Sequence, residues 1–214
     1  MTVHRTRIKI CGLRDASMAR AAAEAGADAI GLVFHAPSPR FVTPREAVAI
    51  ASSVPPFVSC VGLFVNLPAA EVRALLGQVP LGLLQFHGEE DAAFCGQFGV
   101  PWMKAVRVGE DTDLLECDHQ FSKAAALLLD AQVKGAFGGT GTTFDWSLVP
   151  RTLRVPVVLS GGLQADNVGE AIAAVRPWAV DVSSGVEVER GVKDRRRIEA
   201  FVRSVRDADA RIGG

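Results

Sequence analysis

Apolar residues gather in eight short runs along the chain, at 7-11, 28-34, 57-65, 81-86, 102-107, 125-130, 155-159 and 179-183. The runs are β-branched or leucine-rich and too short for buried helices, so they read as strands. The segments between them carry helical spacing and explicit start signals. In "TPRE", Thr43 supplies an N-cap, Pro44 the first helical position and Glu46 the closing residue of a capping box. In the last segment Ile198, Phe201, Val202 and Val205 fall on one helical stripe. Strand and helix patterns alternate from end to end, which specifies parallel βα units. No linker or low-complexity tract divides residues 1-214, so one domain is expected. Eight such strands predict an α/β fold of the single-domain (β/α)8 TIM barrel type rather than an open doubly wound sheet. A dinucleotide-binding sheet would also want G-x-G-x-x-G after its first strand, where "CGLRDAS" stands. "GAFGGTGTT", residues 135-143, fits no phosphate loop of the G-x-x-x-x-G-K-[ST] type.

Composition narrows the function classes. The chain is 49% apolar and 22% charged, as in well-packed globular proteins. A formal net charge of -1 provides no field for nucleic acid or an anionic membrane, so neither is expected as a partner. The basic cluster Arg195 to Arg197 lies beside Asp194 and Glu199 and reads as a solvated helix face. Cys11, Cys60, Cys95 and Cys117 form no C-x-x-C pair, which argues against zinc ribbons and thioredoxin-like motifs. Residues 1-10 lack the apolar stretch of a signal peptide and no run approaches a bilayer-spanning length, so a reducing cytoplasm is the expected location.

The candidate chemistry lies where the apolar runs stop. They end on or beside Cys11, Asn66, His87, Arg107, Asp130, Ser160 and Ser183, all at C-terminal ends. In a (β/α)8 barrel those ends converge on the rim that carries active sites. Two of the following loops, "LSGGL" and "VSSGVE", place Gly161, Gly162, Ser183, Ser184 and Gly185 after strands 7 and 8, where barrels commonly bind phosphate. Asp130 follows the apolar run "AAALLL", where poor solvation favours a protonated carboxyl group and a general-acid role. Cys11 is either a small core residue or a base or nucleophile at the same rim. His87 is either a ligand contact or the N-cap of a helix starting near Glu89. No H-x-x-x-H or similar spacing suggests a metal.

Taken together, "KICGL", "GLVF" with "SPRFV", "VGLFVN", "LQFHGEE", "LLLDA", "GGTGTTFDW", "LSGGL" and "DVSSGVE" resemble the phosphoribosylanthranilate isomerases of tryptophan biosynthesis. The resemblance runs in order over nearly the whole chain. It implies a metal- and cofactor-free Amadori rearrangement of N-(5'-phosphoribosyl)anthranilate to 1-(2-carboxyphenylamino)-1-deoxyribulose 5-phosphate. It further implies Cys11 as general base, Asp130 as general acid and Arg40 as reader of the anthranilate carboxylate. Gly161, Gly162, Ser183, Ser184 and Gly185 would hold the phosphate, with Gly139 on the same side and His87 near the substrate. The family includes monomers and homodimers. Phe86 stands where leucine is usual in the family, and Thr142 where Lys or Gln is common. Two other readings compete: a histidine-pathway isomerase, disfavoured because that family ends strand 1 on Asp, and a non-catalytic phospholigand sensor, disfavoured by the intact Cys11 and Asp130.

Lys9 remains to be placed. It shares the inward parity of Cys11 one layer lower, where an unpaired ammonium is costly. Asp181, with the parity of Ser183 on the strand expected beside strand 1, predicts a buried Lys9-Asp181 pair. Its positive end should also help hold Cys11 as thiolate.

Overall fold

The computed structural model describes residues 5-131 and 143-213. Eight parallel strands close into one barrel in sequence order: β1 (Arg7–Cys11), β2 (Ala29–Val33), β3 (Ser59–Phe64), β4 (Leu83–Phe86), β5 (Trp102–Val108), β6 (Ala126–Ala131), β7 (Val157–Leu159) and β8 (Ala179–Val182). Helices α1 (Ala16–Ala25), α2 (Pro44–Ala51), α3 (Ala69–Leu76), α4 (Ala92–Gly96), α5 (Leu114–Gln120), α6 (Val168–Val175) and α7 (Arg195–Gly213) follow individual strands. The TIM-barrel expectation holds. A hairpin of β9 (Glu187–Glu189) and β10 (Val192–Lys193), which the sequence reading did not anticipate, lies between β8 and α7.

All eight strands match the apolar runs to within two residues at either end. At 57-65 the strand begins two residues late, because Pro55 and Pro56 lead into a left-handed Phe57 (φ 73°) whose side chain is exposed. The capping box at α2 forms as expected: Glu46 N-H donates to Thr43 Oγ1, and the Glu46 carboxylate accepts from the Thr43 N-H. Ile198, Phe201, Val202 and Val205 of α7 are buried against the barrel.

Parity along the strands sorts the core into layers. Outward residues pack against the helices, and there Phe86 lies within an aromatic cluster, its ring centroid 5.8 Å from those of Phe64 and Phe94 and 5.7 Å from that of Phe98. The Phe86 departure thus fills the strand-helix layer behind the site. Inside the barrel, Val61, Met103, Ala105, Ala126, Leu128, Val158 and Ala179 make an apolar plug. Above it the inward positions carry Lys9, Gln85, His87, Asp130, Ser160 and Asp181 beside the apolar Val33 and Leu63, so the chemistry sits on a packed floor.

Candidate active site

One pocket opens at the C-terminal end of the barrel. Its wall includes Cys11, Arg40, Gln85, His87, Asp130, Ser160, Asp181 and Ser183. Five of the seven polar strand ends therefore meet. Asn66 and Arg107 do not line this pocket. Asn66 adopts a left-handed conformation (φ 52°), and its Oδ1 accepts from the Glu89 N-H, stapling one loop to the next. Arg107 lies 3.5 Å from Glu89.

Strand register brings Lys9 opposite Asp181, and Lys9 Nζ donates to Asp181 Oδ1 at 2.8 Å, both side chains buried. The expected pair is present. Ser160 Oγ donates to the other carboxylate oxygen at 3.3 Å. Gly31, the β2 partner of Cys11, makes room for this group: a Cβ there would stand 2.7 Å from Cys11 Sγ and 3.1 Å from Lys9 Nζ.

The consequence expected for Cys11 holds only in part: Lys9 acts toward the thiolate, but it does not prevail. Burial pushes the thiol up, and although Lys9 and then Lys193 oppose this, the Asp181 charge acts with burial and the net shift is upward. Cys11 is therefore a thiol at neutral pH. Burial likewise disfavours the Lys9 ammonium, but Asp181 and Cys11 outweigh it and raise its pKa. The ion pair is the stronger partner, so Lys9 serves Asp181 before it serves the sulfur.

Asp130 is buried at the end of β6, but its surroundings are not simply apolar. Oδ1 accepts from the Ala131 N-H at 3.0 Å, and Oδ2 lies 3.3 Å from His87 Nε2. His87 is not an N-cap. Asp91 caps α4 by accepting from the Phe94 N-H, and the helix begins at Ala92 rather than near Glu89, because the intervening turn is held by Glu90. Glu90 accepts from the Asn66 and Gly88 N-H groups and lies 3.4 Å from Lys104, which also donates to the Gly88 carbonyl.

Arg40 lines the pocket, but part of its planar fork is engaged. Nε and Nη2 donate to the two oxygens of Glu187 at 2.7 and 2.8 Å. Lys193 Nζ donates to the same carboxylate at 2.6 Å and to the Ser183 carbonyl and hydroxyl at 3.0 and 3.2 Å. Burial works against the charge on Glu187, but Arg40 and Lys193 outweigh it and hold its carboxyl at about 2. Sequence reasoning missed Glu187 and Lys193. The alternation in "EVERGVK", with Gly191 at the turn (φ 86°), was the available signal for a hairpin pointing both inward.

The two expected phosphate loops adjoin. Gly161 and Gly162 are left-handed (φ 83° and 62°), and a Cβ on Gly185 would fall 2.0 Å from the Leu163 carbonyl oxygen, so that position must be glycine for the loops to touch. Ser184 and Gly185 lie in a short 3-10 turn after β8. Ser183 Oγ donates to the Cys11 carbonyl at 3.1 Å, which ties the β8 loop to the end of β1. Gly139 and Thr142 lie outside the described residues.

The arrangement offers a thiol and a carboxyl group in one buried pocket, with cationic side chains on its β1-β8 side. The family model described as N-(5'phosphoribosyl)anthranilate (PRA) isomerase matches residues 8-204. An N-(5'-phosphoribosyl)anthranilate isomerase of Pseudomonas putida (strain GB-1) is 55% identical over 202 residues, covering 94% of this chain and 98% of that protein. The phosphoribosyl anthranilate isomerase structure from Thermotoga maritima superposes with a TM-score of 0.88 at 38% identity, over 94% of this chain and 99% of that one. A structure of such an isomerase solved in complex with reduced 1-(o-carboxyphenylamino)-1-deoxyribulose 5-phosphate gives 0.84 at 37% over the same shares. A phosphoribosylanthranilate isomerase match across most of the chain, in sequence and in fold, means that this chain belongs to that family.

Proposed function

We propose that this protein catalyses the Amadori rearrangement of N-(5'-phosphoribosyl)anthranilate in tryptophan biosynthesis, with Asp130 as general acid and Cys11 as general base. The observation that carries this reading is the meeting of Cys11 and Asp130 in one pocket at the C-terminal barrel rim. Asp130 gives its proton to the furanose ring oxygen while the C1-O bond breaks and the anthranilate nitrogen lone pair forms a C1=N bond. Cys11, as thiolate, then removes the C2 proton. The C-H electrons form C1=C2 and neutralise the nitrogen, giving an enolamine that tautomerises to the 2-ketone. Each step moves one proton, and none requires a change of oxidation state at the protein.

The remaining residues bind. Arg40 retains Nη1 beyond its contacts with Glu187, and a guanidinium fork suits the anthranilate carboxylate. The loops bearing Gly161, Gly162, Ser183, Ser184 and Gly185 are assigned to the phosphate. Since the Ser183 hydroxyl is engaged by Cys11 and Lys193, backbone N-H groups would carry most of that contact. Among the described residues no helix is long and apolar enough to cross a membrane. Free cysteines at all four positions suit a reducing cytoplasm.

The test is a fluorescence assay on freshly generated phosphoribosylanthranilate with wild type, Cys11→Ala and a no-enzyme control. Rapid conversion by wild type alone is the expected result. Binding of a product analogue without conversion would favour a phospholigand sensor instead.

A further inference from the structure

Gln85 and His87 stand two residues apart from the end of β4, so both side chains enter the barrel, one layer above the other. Their exposures are 0% and 6%. Gln85 Nε2 lies 3.0 Å from His87 Nδ1. In this amide orientation the Gln85 nitrogen donates and Nδ1 accepts, which places the ring proton on Nε2. That Nε2 lies 3.3 Å from Asp130 Oδ2 but off the line of a hydrogen bond, and among the described residues it has no hydrogen-bond partner. A buried donor without an acceptor is costly, and this one belongs to the wall of the pocket that holds Asp130.

We infer that His87 is a neutral hydrogen-bond donor to the sugar ring oxygen while Asp130 protonates it, and that Gln85 is the positioning residue that fixes this tautomer. The inference rests on the reading of Asp130 as the acid. When the C1-O bond breaks, its electron pair goes to the oxygen, and the proton from Asp130 follows. A second donor at that atom gains strength as the charge develops, so it stabilises the transition state more than the bound substrate. By donating to Nδ1, the Gln85 amide keeps a proton off that nitrogen.

The tautomer can be read directly from long-range proton-nitrogen spectra of 15N-histidine-labelled protein. Of the four histidines, His87 is assigned by the signal lost in His87→Gln. Wild type should show a protonated Nε2 and a bare Nδ1. Gln85→Glu replaces the facing donor with an acceptor, so Nδ1 should gain a proton and kcat should fall about tenfold or more with KM changed less than about threefold. His87→Ala should lower kcat by about 10²-fold, the scale for losing one such donor, and His87→Gln, which returns an N-H, should recover most of that loss. A protonated Nδ1 in active wild-type enzyme would overturn the inference alone, as would equal losses in the Ala and Gln variants or a loss confined to KM. An inactive wild type would overturn the isomerase reading itself, and the inference with it.

Discussion

The two sides of the pocket differ in how far the protein satisfies its own polar groups. On the β1-β8 side, Lys9 is bound to Asp181, Ser160 to the same carboxylate, Arg40 and Lys193 to Glu187, and Ser183 to the Cys11 carbonyl. On the β4-β6 side, Gln85 Oε1 and His87 Nε2 are buried with no hydrogen-bond partner among the described residues. Buried polar atoms are paired in most proteins, so the contrast has a direction. The base side is a closed network that fixes its geometry before substrate arrives. The acid side keeps hydrogen-bonding capacity aimed at whatever enters the barrel.

The sharpest way to break this division is to remove one catalytic group from each side. Cys11→Ala and Asp130→Asn should each lower kcat by about 10² to 10⁴-fold, the usual range for loss of a general acid or base. Product-analogue binding, measured by calorimetry, should survive in both. Near-wild-type turnover in either variant would remove that residue from its role.

Next in size is the ion pair on the base side. Lys9→Met leaves Asp181 buried without its cation, so chemical denaturation should show a loss of about 3 to 5 kcal/mol. Replacing both partners by apolar residues should cost far less, because the desolvation penalty disappears with the charges. An equal loss in the single and double variants would mean that shape, not charge, governs this layer.

Arg40→Ala should act mainly on binding. Loss of charge-assisted hydrogen bonds at a scale of about 1.5 to 3 kcal/mol predicts a KM increase of about 10- to 100-fold with a smaller change in kcat. Glu187 keeps Lys193 as a partner, which should limit the damage to the fold. A substrate lacking the anthranilate carboxylate should be insensitive to the substitution, and this sharpens the assignment. The smallest effect belongs far from either side: Thr43→Ala should lower stability by about 1 kcal/mol, through the lost cap of α2, and leave kcat unchanged.

What the sequence disclosed follows the same division. Cys11, Asp130 and the Lys9-Asp181 pair were legible because strand parity has a period of two and a closed barrel makes strands 1 and 8 neighbours. The α2 cap was legible because its signals are local. The Arg40-Glu187 pair was not, since its partners are 147 residues apart and one lies on a hairpin inserted after the last barrel strand. Asn66 and Arg107 also stood at strand ends, but the left-handed backbone of Asn66 and the Glu89 contact of Arg107 place them off the pocket, and run boundaries carry no such information. The protonation of Cys11 escaped for a different reason. Lys9 and burial act in opposite senses, and their balance depends on how deeply the sulfur lies.

That balance supplies the most direct test of the acid-base account. Cys11 must lose its proton to act as base, and burial holds its pKa above the ordinary 9.0, so the reactive thiolate is the minor form at neutral pH. Below that pKa the thiolate fraction grows about tenfold per pH unit, and kcat/KM should climb with it from about pH 7 upward. Measured on phosphoribosylanthranilate with the spontaneous breakdown subtracted, wild type should show this rising limb, and Cys11→Ala should lose it. A wild-type profile that is flat or falling over the same range would contradict the account, because a buried thiol could not then be the base.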